Sequence, residues 1–584
     1  MTNELKDILL QVERPARYVG GEFNLPDMEK PCKERVLMCF SDKYEIGMSN
    51  IGIRILYHML NDMDDVVCER CFAPDLDLAA KLREHNLPLF SLETKRSFKD
   101  FDIVGFSVQF ELQYTNIAYM FDLAKIPYFA KDRGEEYPLM VAGGPCSVNP
   151  MPYADFFDVI LIGDGEVNLK GLVELHKELK DQHLTKAEFL AIAKDRVDGI
   201  YVPSLRNKTK RAIVQDLDKA YFPTKILVPN CQIVHDRSTI ELFRGCANGC
   251  RFCQACFYYR PIRERKVDTL VEYAKQLMDN TGYEEMSLAS LSTSDYSGLK
   301  ELVERIKKEA DERKVKLAVP SLRLDSFEAE IYEELNGASL TFAPEAGSQR
   351  LRDVINKNIS EANITSAIEG AMKNNVKNVK LYFMIGLPTE TNEDLDGIAH
   401  IAKEVLWLHK KSGTSKMINI TVSTSVFIPK PLTPFQWEKQ ITLKEMEEKQ
   451  KYLQEALRIK NVRYNWHDAK TSYLEAVFAR GDEKLAPAIV KAYEKGCVFD
   501  SWSEYFDFDK WMQVFEECGI NQEDYTREYG EDEVLPWDVI DNGVTKQYLL
   551  KERHLAYQTK TTPNCMGKCN GCGAKRLGRC FEWL

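Results

Sequence analysis

Ser238-Thr-Ile-Glu-Leu-Phe243 reads as a strand and runs without interruption into Arg244-Gly-Cys-Ala-Asn-Gly-Cys-Arg-Phe-Cys253. Cys246, Cys250 and Cys253 are thereby spaced CxxxCxxC. Intervals of four and three would also line up on one face of a helix. Gly245 and Gly249 argue against that, because glycine is costly in a helix interior and suits a tight loop whose amides face a ligand. Iron-sulfur clusters are held by cysteine thiolates, usually four. Three clustered thiolates therefore predict a cluster with one iron open to a non-protein ligand. Zinc also uses short cysteine spacings, yet no closing pair stands nearby, and Cys256 as a fourth ligand would leave the cluster closed to substrate.

The aromatic residue ahead of the last cysteine, Phe252, completes a motif that resembles the radical S-adenosylmethionine (SAM) superfamily, and the resemblance implies that Phe252 is a SAM-binding residue. In that superfamily the loop follows the first strand of a partial parallel barrel, so the resemblance implies a partial (β/α)6 radical SAM barrel over residues 236–459. It also implies a 4Fe-4S cluster whose open iron chelates SAM. One electron, from a donor such as flavodoxin or ferredoxin, would then cleave the sulfonium to a 5'-deoxyadenosyl radical. The strand-helix rhythm agrees: residues 267–280 have a helical period and residues 286–290 read as a strand. Strand ends carry the active groups in parallel barrels. Ser290 and Ser292 stand at the end of the second strand, where the family binds the SAM amino group. Arg323, beyond Lys316-Leu-Ala-Val-Pro320, can pair bidentately with a carboxylate, that of SAM or that of Asp325. Glu345, in Leu340-Thr-Phe-Ala-Pro-Glu345, matches a glutamate at the ribose or amino end of SAM. Gly386, in Gly386-Leu-Pro388, would let backbone approach the adenine, while Thr391 to Asp394 cap the following helix.

Upstream, residues 34–166 alternate apolar runs at 34–40, 66–71, 103–107, 138–142 and 159–162 with helical stretches such as 52–60. The alternation predicts an α/β, doubly wound parallel-sheet domain. Ligands of such sheets lie at the carboxyl ends of the strands, where Asp42, Tyr44, Gly47, Ser107, Gly143 and Gly144 gather. The set resembles the cobalamin-binding domain attached to many radical SAM enzymes, whose first loop is DxHxxG. Here that loop is Asp42-Lys-Tyr44-Glu-Ile-Gly47, with tyrosine where the family places its cobalt-ligating histidine. Ser107-Val-Gln109 stands for Ser-x-Leu, the double glycine is kept, and Ile162-Gly-Asp-Gly-Glu166 resembles the sequence that closes the domain. Cobalamin would bind without the histidine bond, or the domain positions substrate instead. Cys68 and Cys71 lie in a strand and point to opposite faces, which predicts packing rather than metal.

Residues 1–33 form an N-terminal arm, 167–235 a connecting module of two amphipathic helices, and 460–555 a mixed α/β accessory domain. His467, in that last region, is either a proton carrier or a structural residue. The tail, 556–584, holds Cys565, Cys569, Cys572 and Cys580 within sixteen residues. It has little apolar material to order it, which predicts a metal. Ligand type allows closed tetrahedral zinc or a second, auxiliary iron-sulfur cluster. Lys568, Lys575, Arg576 and Arg579 make the tail locally basic, so it suits RNA phosphates as well as an electron relay.

At 584 residues the chain is long enough for about three or four domains, and its net charge of -12 excludes a generally basic nucleic-acid binder. No apolar run reaches the roughly 18 residues of a membrane span, and the acidic first residues are unlike a signal peptide. A cytoplasmic location is expected, with the 16 cysteines reduced. The expected function is that of a radical SAM enzyme that functionalises an unreactive carbon by methyl or sulfur transfer, on RNA or a ribosomal component. An iron-sulfur redox sensor or RNA-binding scaffold without catalysis is the alternative.

Overall fold

A computed structural model describes residues 3–318, 339–373, 376–413 and 417–580. In the N-terminal region, strands β1 (Glu34–Phe40), β2 (Val66–Phe72), β3 (Ile103–Ser107), β4 (Leu139–Gly143) and β5 (Val159–Leu161) pair in parallel in the order β2-β1-β3-β4-β5. A short strand, β6 (Ile200–Tyr201), joins the β5 edge antiparallel. Because side chains alternate across a strand, the sheet has two apolar faces. Val36, Met38, Val141 and Leu161 meet helices α1 (Ile51–Asn61), α4 (Gly165–Leu179) and α5 (Lys186–Arg196) on one face. Leu37, Cys39, Phe106 and Ala142 meet α2 (Leu76–Glu84) and α3 (Tyr114–Leu123) on the other. Cys68 and Cys71 fall into these two different cores.

The expected boundary after residue 166 falls inside this unit. Helices α4 and α5 bury Leu172, Val173, Phe189 and Ala193 against the same sheet that β6 completes. Their amphipathic pattern was legible, but which surface their apolar faces would cover was not.

Apart from a two-residue antiparallel pair, Phe243–Arg244 with Arg263–Glu264, the described strands of the central region run parallel. Strands β7 (Ser238–Glu241), β8 (Glu285–Ala289) and β9 (Lys316–Ala318) form one sheet, backed by α6 (Val267–Thr281) and α7 (Leu299–Arg313). Strands β10 (Ser339–Glu345), β11 (Asn378–Ile385), β12 (Asn419–Val426) and β13 (Val462–Trp466) form a second, backed by α8 (Glu361–Lys373), α9 (Asn392–Lys411) and α10 (Leu443–Ala456). Alternate residues of β11, Val379, Leu381 and Phe383, are buried under the helices, whereas Lys380 and Tyr382 are exposed on the opposite face. Strand β13 lies beyond the expected limit at residue 459, so the strand rhythm continues by one unit into the segment read as an accessory domain. Thr391 and Asp394 form the capping box expected at the start of α9.

The rest of that segment has no core of its own. Helices α11 (Ala469–Ala479), α12 (Leu485–Glu494) and α13 (Phe508–Glu517) contribute Phe478, Ile489 and Trp511 to the core of the N-terminal domain. Thr115 Oγ1 donates to Asp500 at 2.7 Å, and Asn149 Nδ2 donates to the carbonyls of Ala479 and Gly481. The extension therefore clamps the first domain to the second. A last helix, α14 (Lys546–Tyr557), leads into the cysteine tail. Among the described residues, no helix is long and apolar enough to cross a membrane.

Candidate functional site

The cysteine loop leaves β7 through the pair Phe243–Arg244 and turns at Gly245, whose φ is 94°. A Cβ there would lie 2.9 Å from the carbonyl oxygens of Tyr259 and Pro261. The turn therefore requires glycine on two counts, conformation and space. Gly245→Ala is expected to load iron substoichiometrically on reconstitution, because about 1–3 kcal/mol of backbone strain would fall on the loop. Iron per chain equal to wild type would refute this account of the turn.

Three neighbours hold the loop that follows. Arg251 N–H donates to Ile355 O at 2.9 Å, Asn356 Nδ2 donates to Gly249 O at 3.0 Å, and Cys565 N–H of the tail donates to Ala247 O at 2.9 Å. Asn248 Nδ2 reaches both Asp295, at 2.8 Å, and Cys246 Sγ, at 3.5 Å. Hydrogen bonding from Cys256 is the largest influence on Cys246 and, with Asn248, brings its thiol down to about 6 against the opposing effect of burial. Cys253 is driven up to about 12, first by burial and then by repulsion from Cys250 and Cys246. The three sulfurs are thus electrostatic neighbours. This soft thiolate set fits an iron-sulfur cluster, although among the described residues no three His, Cys, Asp or Glu side chains are gathered as a metal-holding group. Cys256 is buried and donates to Asn248 O.

The other residues singled out from sequence fall into separate places. Glu345 ends β10 with a φ of 68° and pairs with Lys357 at 3.1 Å; Lys357 is near enough to Cys253 to favour its thiolate. Glu345 therefore stands beside the cysteine loop. Ser290 Oγ shares a hydrogen bond of 3.0 Å with Thr293, and Ser292 Oγ is buried without a partner. Gly386 spends its N–H on Glu390, at 3.0 and 3.1 Å, and Ile441 fills the space beside its Cα. Arg323 lies outside the described residues.

At the carboxyl ends of β3, β4 and β5 lies a cavity of about 490 Å3, closed on its far side by the central region. Ser107, Gly143 and Gly144 line it, together with Glu241, Phe243, Arg244 and Ser290. Arg244 ties the two regions together through Glu166 at 2.5 Å and Glu241 at 2.8 Å. Burial pushes Asp164 up, but Arg263, Arg244 and Arg211 together hold it below the carboxylate range. One wall carries a side chain that sequence reasoning missed. Asn168 of α4 is fully buried, and neither its carboxamide oxygen nor its nitrogen has a partner. No local pattern marks such a residue, because its signal is the missing partner.

Asp42, Tyr44 and Gly47 do not line this cavity. Tyr44 is 2% exposed and donates to Glu22 at 3.1 Å, while Asp42 accepts from Trp502 Nε1 at 3.1 Å and Gln113 Nε2 at 3.0 Å. A Cβ on Gly47 would strike the ring of Phe72 at 2.3 Å. The expected six-residue cobalamin-like set is therefore split. Three members face the cavity, and three are consumed by packing partners as distant in sequence as Trp502.

The tail docks on the cysteine loop. Beyond the Cys565 contact, Thr562 N–H donates to Asn356 Oδ1 at 2.7 Å, and Arg251 Nη2 donates to Lys560 O at 2.7 Å. Burial raises the Cys580 thiol, and Cys572, Cys569 and Cys565 raise it further. The buried Arg260 favours charge on both Cys256 and Cys565, which puts it between the two cysteine groups. His467 sits after β13, with Nδ1 2.8 Å from Ser472 Oγ.

Comparison with known proteins agrees with this layout. The model of the N-terminal region of radical SAM proteins matches residues 52–203, and that of the radical SAM superfamily matches residues 240–402. The chain is a radical SAM enzyme. The first match extends to β6, as the sheet does. The uncharacterized protein MJ0966 of Methanocaldococcus jannaschii is 29% identical to this radical SAM enzyme over 500 residues, 83% of this chain and 98% of the relative. Among solved structures, the radical S-adenosylmethionine methyltransferase TsrM of Kitasatospora setae, with cobalamin and a 4Fe-4S cluster bound, aligns at 14% identity. Its TM-score is 0.46, over 67% of this chain and 75% of that one. Methylornithine synthase (PylB) aligns at 14% identity and a TM-score of 0.24, over 50% of this chain and 84% of that one.

Proposed function

We propose that this radical SAM enzyme holds a 4Fe-4S cluster on Cys246, Cys250 and Cys253 and directs the radical it generates from SAM at an unreactive carbon. The observation that carries this reading is the loop itself, a CxxxCxxC turn that follows a strand and is pinned by Ile355, Asn356 and Cys565. The cluster would supply one electron through its open iron. Around it, Lys357 offsets the thiolate charge and Glu345 accepts from hydroxyl or ammonium donors of SAM. Ser290 and Ser292 stand at the end of the neighbouring strand, and the three parallel strands β7, β8 and β9 are read with the four of the second sheet as one open barrel.

The large cavity supports a second bound group. Its glycine-lined, largely apolar walls and the free carboxamide of Asn168 suit a planar heteroaromatic ring with a donor and an acceptor edge. Cobalamin is the cofactor to test there for methyl transfer, with no cobalt bond from Tyr44, whose hydroxyl is spent on Glu22. Sulfur transfer would instead use a second cluster at Cys565, Cys569, Cys572 and Cys580, and the docking of that tail on the cysteine loop suits a relay. Arg576 is paired with Asp541 at 3.2 Å, so part of the tail's basic charge serves its own attachment rather than RNA.

Anaerobic reconstitution with iron, sulfide and SAM tests the reading. Reduced protein is expected to release 5'-deoxyadenosine; intact cluster spectra without any cleavage would sink it. Bound cobalamin would favour methyl transfer, and about eight irons per chain, two cubanes, would favour sulfur transfer. Asn168→Leu separates the cavity's role from the cluster's. An unpaired buried amide costs about 1–3 kcal/mol, so the ligand-free variant is expected to melt at a higher temperature while losing cobalamin binding. A lower melting temperature would show that Asn168 serves the fold instead.

A further inference from the structure

A second cavity, of about 280 Å3, opens at the carboxyl ends of β11, β12 and β13. Its character changes along its length. Phe252 of the cysteine loop, Met384 and Phe427 form an apolar end, and Lys430, His467, Ser472 and Glu475 form a polar one. The polar end comes entirely from residues beyond 402, outside the segment matched by the radical SAM superfamily. Catalytic groups of parallel barrels gather at this end of the strands.

Lys430 Nζ lies 2.5 Å from Glu111 Oε1 and 2.9 Å from Glu475 Oε1. Glu111 follows β3 of the N-terminal domain, Lys430 follows β12, and Glu475 lies on α11, so three parts of the chain converge. The side chains are only 19%, 11% and 13% exposed. Two carboxylates therefore share one ammonium in a place that water barely reaches, and a formal negative charge is left over. Charge buried without a partner is costly. Burial accordingly pushes Glu475 above the carboxylate range against the pull of Lys430. A cation arriving with a ligand would restore the balance. The volume is at the small end of small-molecule sites.

We propose that this cavity is the substrate site and that it takes the protonated nitrogen of an amine or guanidine, paired with Glu475, with the carbon to be attacked turned toward Phe252. The proposal rests on the radical centre assigned above, because Phe252 adjoins Cys253. Two sources present this chemistry, a free metabolite and a lysine or arginine side chain.

The test is isothermal titration calorimetry of the reconstituted full-length protein. The probes are 1,4-diaminobutane, agmatine and Nα-acetyl-lysine methylamide, with glutarate as the anionic control. Saturable binding of at least one cationic probe is expected, weakened at least about tenfold in Glu475→Gln and regained in part in Glu475→Asp, which keeps the charge. Binding of the free amines alone assigns a metabolite, and binding of the blocked lysine alone assigns a side chain. Binding of glutarate in preference to the amines overturns the proposal, as does the absence of saturable binding by any cation. Equal affinity in wild type and Glu475→Gln, or an Asp variant no better than the Gln variant, also overturns it. Binding calorimetry needs no SAM cleavage, so failure of cleavage in the wild-type protein would count against the proposed function alone.

Discussion

Cys250→Ala, reconstituted anaerobically with iron and sulfide and then reduced, is expected to release no 5'-deoxyadenosine from SAM, with the metal content of its tail unchanged from wild type. Cys246→Ala and Cys253→Ala are expected to do the same. Cys246 is already biased toward thiolate by Cys256 and Asn248, and a cubane that has lost one of its three protein ligands is no longer held by the loop as a unit. The loss should be complete rather than graded, because no cluster means no electron at the open iron. Iron and zinc analysis on the same samples isolates the tail, whose four cysteines lie outside the substituted loop. SAM cleavage that persisted in any of the three variants would overturn the assignment of this loop as the cluster site.

The second large effect is structural. Arg251, inside the cysteine loop, is fully buried and spans five acceptor contacts, to Glu552 Oε2 at 3.1 and 3.2 Å and to the carbonyls of Asp353, Val354 and Lys560. Burial lowers its affinity for the proton and Glu552 opposes that loss. Arg251→Met would strand Glu552, 1% exposed, with Thr562 alone among the described residues to donate to it. Breaking a buried pair from one side costs about 3–5 kcal/mol. The cost should fall on the contact between loop and tail, and hydrogen exchange across residues 545–572 reads it locally as lost amide protection. The double variant Arg251→Met, Glu552→Leu is expected to recover much of the protection, because it removes the stranded charge. Unchanged exchange in the single variant would mean that the tail is held by other contacts.

These two residues show where sequence reading stops. Cys250 is recognisable because Cys253 and Cys246 stand three and four positions away and a glycine marks the turn. Arg251 is its neighbour, yet its partner Glu552 lies 301 positions downstream, and nothing local distinguishes it from a surface arginine. The same contrast runs through the candidate sites. Ser107, Gly143 and Gly144 follow strands of one sheet, so a strand-end rule brings them to one cavity. Asp42, Tyr44 and Gly47 obey the same rule, but Glu22, Gln113, Trp502 and Phe72 occupy them. Lys430 and Glu111, 319 positions apart, meet because the segment after β12 packs Leu432 and Trp437 into the core of the N-terminal domain.

The sequence by itself determined the donor chemistry and the local geometry: three thiolates on a glycine turn after a strand, parallel strands alternating with helices, and a capping box at Thr391. These depend on neighbours within a few residues, where backbone conformation and side-chain direction are set by short-range sterics. Only the tertiary structure decided which polar groups remain free for a ligand. Asn168 has no partner, Tyr44 has one, and two carboxylates share Lys430. Hydrogen-bond satisfaction and charge balance in a buried site are settled by whatever the rest of the chain packs against it.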